Sequence, residues 1–117
     1  SAIRARAPKA RIIYVTYVTL IPEGERCAEV PLSDADATIA RSTAAKLADV
    51  TRAVAKADGA EVVDAATLSM GHDACAAEPW ATGLVVREAM PVSSPYHPNA
   101  TGMQAIADAL VRQVDAN

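Results

Sequence analysis

The segment that most constrains this chain is RIIYVTYV, residues 11–18, where β-branched, aliphatic and aromatic residues follow Arg11 with Thr16 as the one polar interruption. A strand with one face in water alternates polar with apolar side chains. One without alternation is covered on both faces, as strands of a parallel sheet are. The next segments fit that requirement. Ser33, with Asp36 three residues on, reads as a helix start of the capping-box kind. Ala40, Ala44, Leu47, Val50 or Thr51, and Val54 then recur at helical spacing up to Gly59, a residue suited to end a helix. AEVVD, residues 60–64, reads as a second short buried strand. Strand, long helix, strand is a right-handed βαβ unit. The fold class is therefore α/β with a parallel sheet.

Around this unit, SAIRARA (residues 1–7) reads as the tail of a helix ended by Pro8. LIPEGERCAEVPLS carries Pro22, Gly24 and Pro31 and reads as a loop. Residues 65–98 form a long irregular stretch with Gly71, Pro79, Gly83, Pro91, Pro95 and Pro98, into which His72, Asp73, Cys75, Trp80 and His97 are set. A loop of that length in a compact domain is usually functional or disordered, and these residues favour function. Asn99 caps a last helix bearing Met103, Ile106, Ala107, Leu110, Val111 and Val114 on one face. Repeats and interdomain linkers are absent.

The chain has 117 residues, enough for one small core. Half of it is apolar, but alanine supplies much of that fraction, and Trp80, Tyr14, Tyr17 and Tyr96 are the only aromatics. Apolar burial stabilises by roughly 25 cal/mol per Å², so small side chains contribute little each. Alone, such a chain is marginally stable, a first sign of a missing partner surface. The net charge of −3 argues against nucleic acid as a partner. Arg4, Arg6, Lys9 and Arg11 read as a solvated helix end and strand entry. No apolar run approaches the roughly 20 residues of a membrane span. No signal peptide is visible, and a mature or internal fragment would have none.

His97 stands between Pro95 and Pro98, with the capping Asn99 next, so its ring sits on a rigid mount. In open α/β sheets a segment of this kind lies at the carboxyl edge, where active residues gather. A surface histidine in a proline-rich turn is the bland alternative. Cys27 and Cys75 fit either one disulfide or two buried thiols, and their spacing is not a metal pattern.

The pieces RAPKARIIYVTYVTLIP…C, VVDAATLSMGHDAC…PW and YHPNATGMQAIADAL, in that order, resemble the C-terminal half of SGNH hydrolases, the GDSL-type lipases and esterases. The likeness is strongest to the secreted actinobacterial esterases and phospholipases of that group. It implies a flavodoxin-like three-layer α/β/α sandwich and hydrolysis of carboxylic esters through an acyl-enzyme. It places the family's general base, the His before Pro-Asn, at His97, which would take a proton from a serine hydroxyl and return it to the leaving alcohol. The usual Asp three residues earlier is Ser94 here, so a Ser-His dyad is expected. The main-chain carbonyl of Ser94, or else of Pro95, would hold the imidazole in the right tautomer. Asp73 and Asp64 are weaker substitutes for the missing carboxylate. His72, in the family's GH…C region, reads as a loop histidine bonded to neighbouring backbone, with a place in the acyl pocket as the alternative. Trp80 reads as a loop anchor. Tyr17, Val18 and Leu20 either line a pocket or pack in the core. The resemblance also implies a Cys27–Cys75 disulfide, and with it a secreted or cell-envelope location.

The family's Gly-Asp-Ser nucleophile block and its oxyanion donors do not occur in this sequence. Ser1, Ser33, Ser42, Ser69, Ser93 and Ser94 include none at a strand-to-helix elbow, and Asn99 is a helix cap, not the oxyanion Asn. Residues 1–117 are therefore expected to be the C-terminal portion of one hydrolase domain. The N-terminal half, as a second chain or a segment, would supply nucleophile and oxyanion hole. The mechanism needs no metal or cofactor. The substrate is a small ester or a lipid, with short-chain ester, phospholipid, acetylated polysaccharide and mycolyl ester all open. Two alternatives are a non-catalytic protein that keeps the hydrolase fold and a free-standing α/β domain.

Overall fold

A computed structural model describes residues 2–85 and 94–116. Pro91 and Ser93 of the expected loop, and Ser1, lie outside these. The elements in order are α1 (Ala2–Arg6), β1 (Ile13–Val15), α2 (Asp34–Ala57), β2 (Glu61–Val63), α3 (Ala65–Leu68) and α4 (Ala100–Asp115). β1 and β2 pair in parallel, Ile13 opposite Glu61 and Val15 opposite Val63, with α2 as the crossover. The β-α-β reading holds.

α2 begins where Ser33 accepts the Asp36 amide on its hydroxyl, a cap that contributes about 1 kcal/mol. It closes at Asp58, followed by Gly59 at φ +61°, the left-handed position that Gly adopts without strain. The basic cluster is more than a solvated end. Arg4 donates to the carbonyls of Asp58 and Gly59 just past α2. Arg11 donates to those of Gln113 and Val114 at the end of α4 and forms a two-toothed pair with Glu61. Guanidinium groups there satisfy carbonyls that have no partner within the helix.

Two expectations need correction. The first strand is three residues long, and Val15 and Tyr17 are exposed, so β1 is not covered on both faces. Its pairing with β2 runs on only as far as the Thr16 amide, which donates to the Val63 carbonyl. The buried face of α2 is Ala37, Ala48 and Ala55, while Leu47, Val50 and Val54 are exposed on the adjoining flank. Two strands span only about 10 Å and cannot cover a whole helix face. Similarly, on α4 the buried residues are Gly102 and Ala109, with Met103, Val111 and Val114 outside.

The core is in two parts. Ile21, Val30, Ala37 and Ala74 form one, against which Leu20, both cysteines and Tyr96 pack. Val18, Ala65 and Ala81 form the other, joined by Leu20 and Ile106. The Cys27–Cys75 disulfide ties the 19–32 loop to the loop after α3. The short helix α3 falls inside the stretch expected to be irregular. Asp64 caps it by accepting the Thr67 amide. The same carboxylate receives Thr16, Thr67 and Arg52. Burial works against its ionisation, but the Thr67 and Thr16 hydrogen bonds with the Arg52 charge prevail and lower its pKa.

Candidate active site around His97

His97 lies in a turn held to the segment before it by a short antiparallel ladder. The Asn99 amide donates to Trp80, Thr82 to His97, and Tyr96 to Gly83, with Ala81 and Pro98 as the bridge partners. Pro98 has no amide to offer such a ladder, and bonds on either side of it suffice. The mount expected from the two prolines is thus reinforced by backbone pairing that they do not provide.

The ladder is itself fixed at both ends. The Leu84 amide donates to Glu29, and a Cβ on Gly83 would fall 2.1 Å from the Glu29 carbonyl oxygen, so only glycine fits. At the other end, Asn99 accepts the Gly102 amide and donates from Nδ2 to the Pro79 carbonyl. It is a cap and loop tie, as expected, and both ends of its side chain are occupied.

Within the turn, Tyr96 adopts φ +58°, a backbone region costly for a non-glycine residue, by roughly 1–3 kcal/mol. Three contacts over-determine it. Its ring packs on the Ile21–Val30 core, its amide is in the ladder, and its carbonyl accepts the Tyr17 hydroxyl at 3.0 Å. The Tyr17 hydroxyl is protonated at neutral pH in any case, and partial desolvation raises its pKa further.

The imidazole comes next. Nδ1 of His97 is 2.8 Å from the Pro95 carbonyl oxygen. A carbonyl can only accept, so this contact requires the proton on Nδ1 and leaves the lone pair on Nε2. The Ser94 carbonyl, the first of the two acceptors expected from the sequence, is not in this place. That carbonyl instead accepts the Thr82 hydroxyl at 2.7 Å. The left-handed turn at Tyr96 folds the ring back over the nearer peptide, and Pro95 is the one it meets. Asp64 is occupied as described, and Asp73 accepts the Cys75 amide.

The other candidates divide. Tyr17 meets the His97 ring edge to face, with centroids 6.4 Å apart. Val18 is 3% exposed and packs in the second core with Ala65 and Ala81. His72 stacks on Trp80 at 4.4 Å, and its Nδ1 lies 2.9 Å from the Glu78 carbonyl. The backbone-bonded loop histidine and the anchoring tryptophan are both seen. Thr82, buried under the turn, was not anticipated by any motif.

The chain is similar in sequence and fold to known proteins. A family model for GDSL-like lipases and acylhydrolases matches residues 1–105. Lipase 2 of Streptomyces coelicolor is 34% identical over 111 residues, 91% of this chain and 37% of that protein. A Streptomyces rimosus lipase is 32% identical over 101 residues, 86% of this chain and 36% of its own length. The chain thus spans little more than a third of these relatives. Among solved structures, phospholipase A1 of Streptomyces albidoflavus superposes with a TM-score of 0.78 at 23% identity, over 94% of this chain and 45% of that one. The extracellular lipase of Streptomyces rimosus gives 0.74 at 28%, over 92% and 46%. The α/β sandwich implied by the sequence is the fold these structures share with it. On the family match, which covers nine-tenths of its length, the chain belongs to the GDSL-like lipase/acylhydrolase family.

Proposed function

We propose that this chain is the C-terminal portion of a serine ester hydrolase of the SGNH type, with His97 as the general base of a Ser-His dyad. The observation that carries the reading is the Pro95 carbonyl at Nδ1 of His97. It does the orienting work of the usual carboxylate and leaves Nε2 with the lone pair a base needs. Nε2 takes the proton of an attacking serine, and the imidazolium then protonates the departing alcohol oxygen.

The nucleophile and oxyanion hole come from the N-terminal portion of the same hydrolase, as a second chain or an upstream segment. Supporting this are the share of the relatives the chain spans, the two-stranded sheet, and the apolar flank of α2 at Leu47, Val50 and Val54. The disulfide and the extracellular relative support an extracytoplasmic location. Among the described residues no helix is long and apolar enough to cross a membrane. The substrate is a carboxylic ester, with lipid esters favoured by the names of the relatives.

The test is fluorophosphonate labelling of the native two-part protein, followed by intact mass under denaturing conditions. Label on the N-terminal portion, lost or slowed in His97→Ala, is expected. Label on this chain would place the nucleophile among its own serines, and undiminished labelling and turnover in His97→Ala would remove His97 as the base.

A further inference from the structure

A second hydroxyl stands beneath the His97 turn. Thr82 is 3% exposed, and its side chain faces the turn from the ladder strand opposite. Its Oγ1 lies 2.7 Å from the Ser94 carbonyl oxygen, 3.3 Å from that of His97 and 3.4 Å from the His97 amide nitrogen. A hydroxyl has one proton to donate and lone pairs to accept with. The short contact takes the proton, so Ser94 receives it. The His97 carbonyl is already served by the Thr82 amide at 3.0 Å. The lone pairs then face the His97 N–H. One hydroxyl therefore bridges the entry and exit of a four-residue turn, and Pro95, whose carbonyl orients the imidazole, is inside the bridge.

We propose that Thr82 is a positioning residue for His97: its hydroxyl closes the 94–97 turn and so sets where the Pro95 carbonyl stands relative to Nδ1. The proposal rests on the reading of His97 as the base. Thr82 touches no reacting atom; it acts through the backbone. Valine has nearly the shape of threonine but no hydroxyl, and it would take this partner from the Ser94 carbonyl and the His97 amide on the side of the turn that the buried Thr82 covers. The turn would relax towards other partners, and the ring would lose its fixed acceptor. Misplacing a catalytic group by about 1 Å can cost on the order of 100-fold in rate.

The experiment compares Thr82→Val and Thr82→Ser in the complete two-part enzyme, with His97→Asn alongside. It reads kcat and KM on a short-chain chromogenic ester and the ¹⁵N signals of the His97 imidazole, assigned by their loss in His97→Asn. Thr82→Ser is expected to stay within about threefold of wild type and to keep the Nδ1–H signature. Thr82→Val is expected to lose roughly tenfold to 100-fold in kcat with little change in KM, and to lose that signature. A Thr82→Val enzyme with wild-type kcat and signature overturns the proposal. So does a Thr82→Ser enzyme as impaired as the valine variant, since packing of the methyl would then be the cause. If Thr82→Val does not fold, Thr82→Ala is read by the same criteria. Full activity in His97→Asn would remove the base assignment, while the imidazole signals of the Thr82 variants still decide this proposal.

Discussion

The carbonyl oxygen of Pro95 holds Nδ1 of His97 at 2.8 Å, an acceptor two residues back along the same backbone. Side-chain substitution cannot delete such an acceptor. Ser94→Ala should therefore leave kcat within about twofold of wild type, because the group that meets Nδ1 is the main-chain carbonyl of Pro95. His97→Ala should lower kcat by roughly 10³-fold or more, the scale of losing a catalytic base. Ester turnover by the complete hydrolase proposed above measures both. A large loss in Ser94→Ala would show that the serine hydroxyl itself takes the carboxylate's place.

The residues that were legible in the sequence act on their near neighbours. Ser33 and Asn99 cap helices through amides three residues away, and a local pattern suffices to find them. Asp64 with Thr67 is a cap of the same kind, hidden because Asp64 also ends a run of strand-forming residues. What escaped depends on distant chain segments. The burial of α2 on Ala37, Ala48 and Ala55 instead of Leu47 and Val54 follows from the two strands it packs on, not from its own periodicity. Thr82 meets Ser94 and His97 across a ladder whose strands are too short to read. Pro95 rather than Ser94 faces Nδ1 in a turn where Tyr96 takes a positive φ that tyrosine seldom adopts, which no local pattern announces.

Glu61 joins β2 to both Arg11 and the side chain of Gln113. Hydrogen bonds from Arg11, then Gln113, lower its pKa from 4.5 to about 2, against a smaller opposing effect of desolvation. A lowered carboxylate pKa adds stability that is complete above the unfolded value and disappears as pH falls through the folded one. The melting temperature of Glu61→Gln should thus lie furthest below wild type at neutral pH. The gap should narrow below about pH 4.5 and close near pH 2. High salt should narrow it too, because the pair is solvent-exposed. A gap that widens on acidification would mean that Glu61 is not held ionised by these partners.

The Cys27–Cys75 bridge closes a loop across a separation of 48 residues. Loop-closure entropy for that length corresponds to about 4 kcal/mol at 25 °C, an upper figure if the reduced chain keeps structure. The bridge pins the loop carrying Ile21 and Val30 against Ala74, and Tyr96 packs on the same cluster. Cys27→Ala/Cys75→Ala should therefore lose about 2–4 kcal/mol in denaturant unfolding and should also lower kcat. Loss of stability with unaltered kcat would show that the His97 turn is anchored independently of this core.

Gly102 sets two effects of known size against each other. In a helix interior, alanine is favoured over glycine by about 1 kcal/mol. At Gly102, however, the added Cβ would fall 2.1 Å from the Trp80 carbonyl oxygen and 2.9 Å from its carbon. That carbonyl cannot swing aside, since it accepts the Asn99 amide that leads into α4. Overpacking at a rigid contact costs about 1–3 kcal/mol, and moving α4 away would also stretch the Asn99 cap at 2.9 Å. The clash wins. Gly102→Ala should destabilise the protein by up to about 2 kcal/mol net and lower kcat, because Trp80 and Asn99 form the last rung of the ladder that carries His97. Denaturant unfolding and ester turnover of the same variant measure the two effects. A Gly102→Ala protein more stable than wild type would mean that α4 does not approach Trp80 this closely, and with that the fixed base of the His97 turn would be lost.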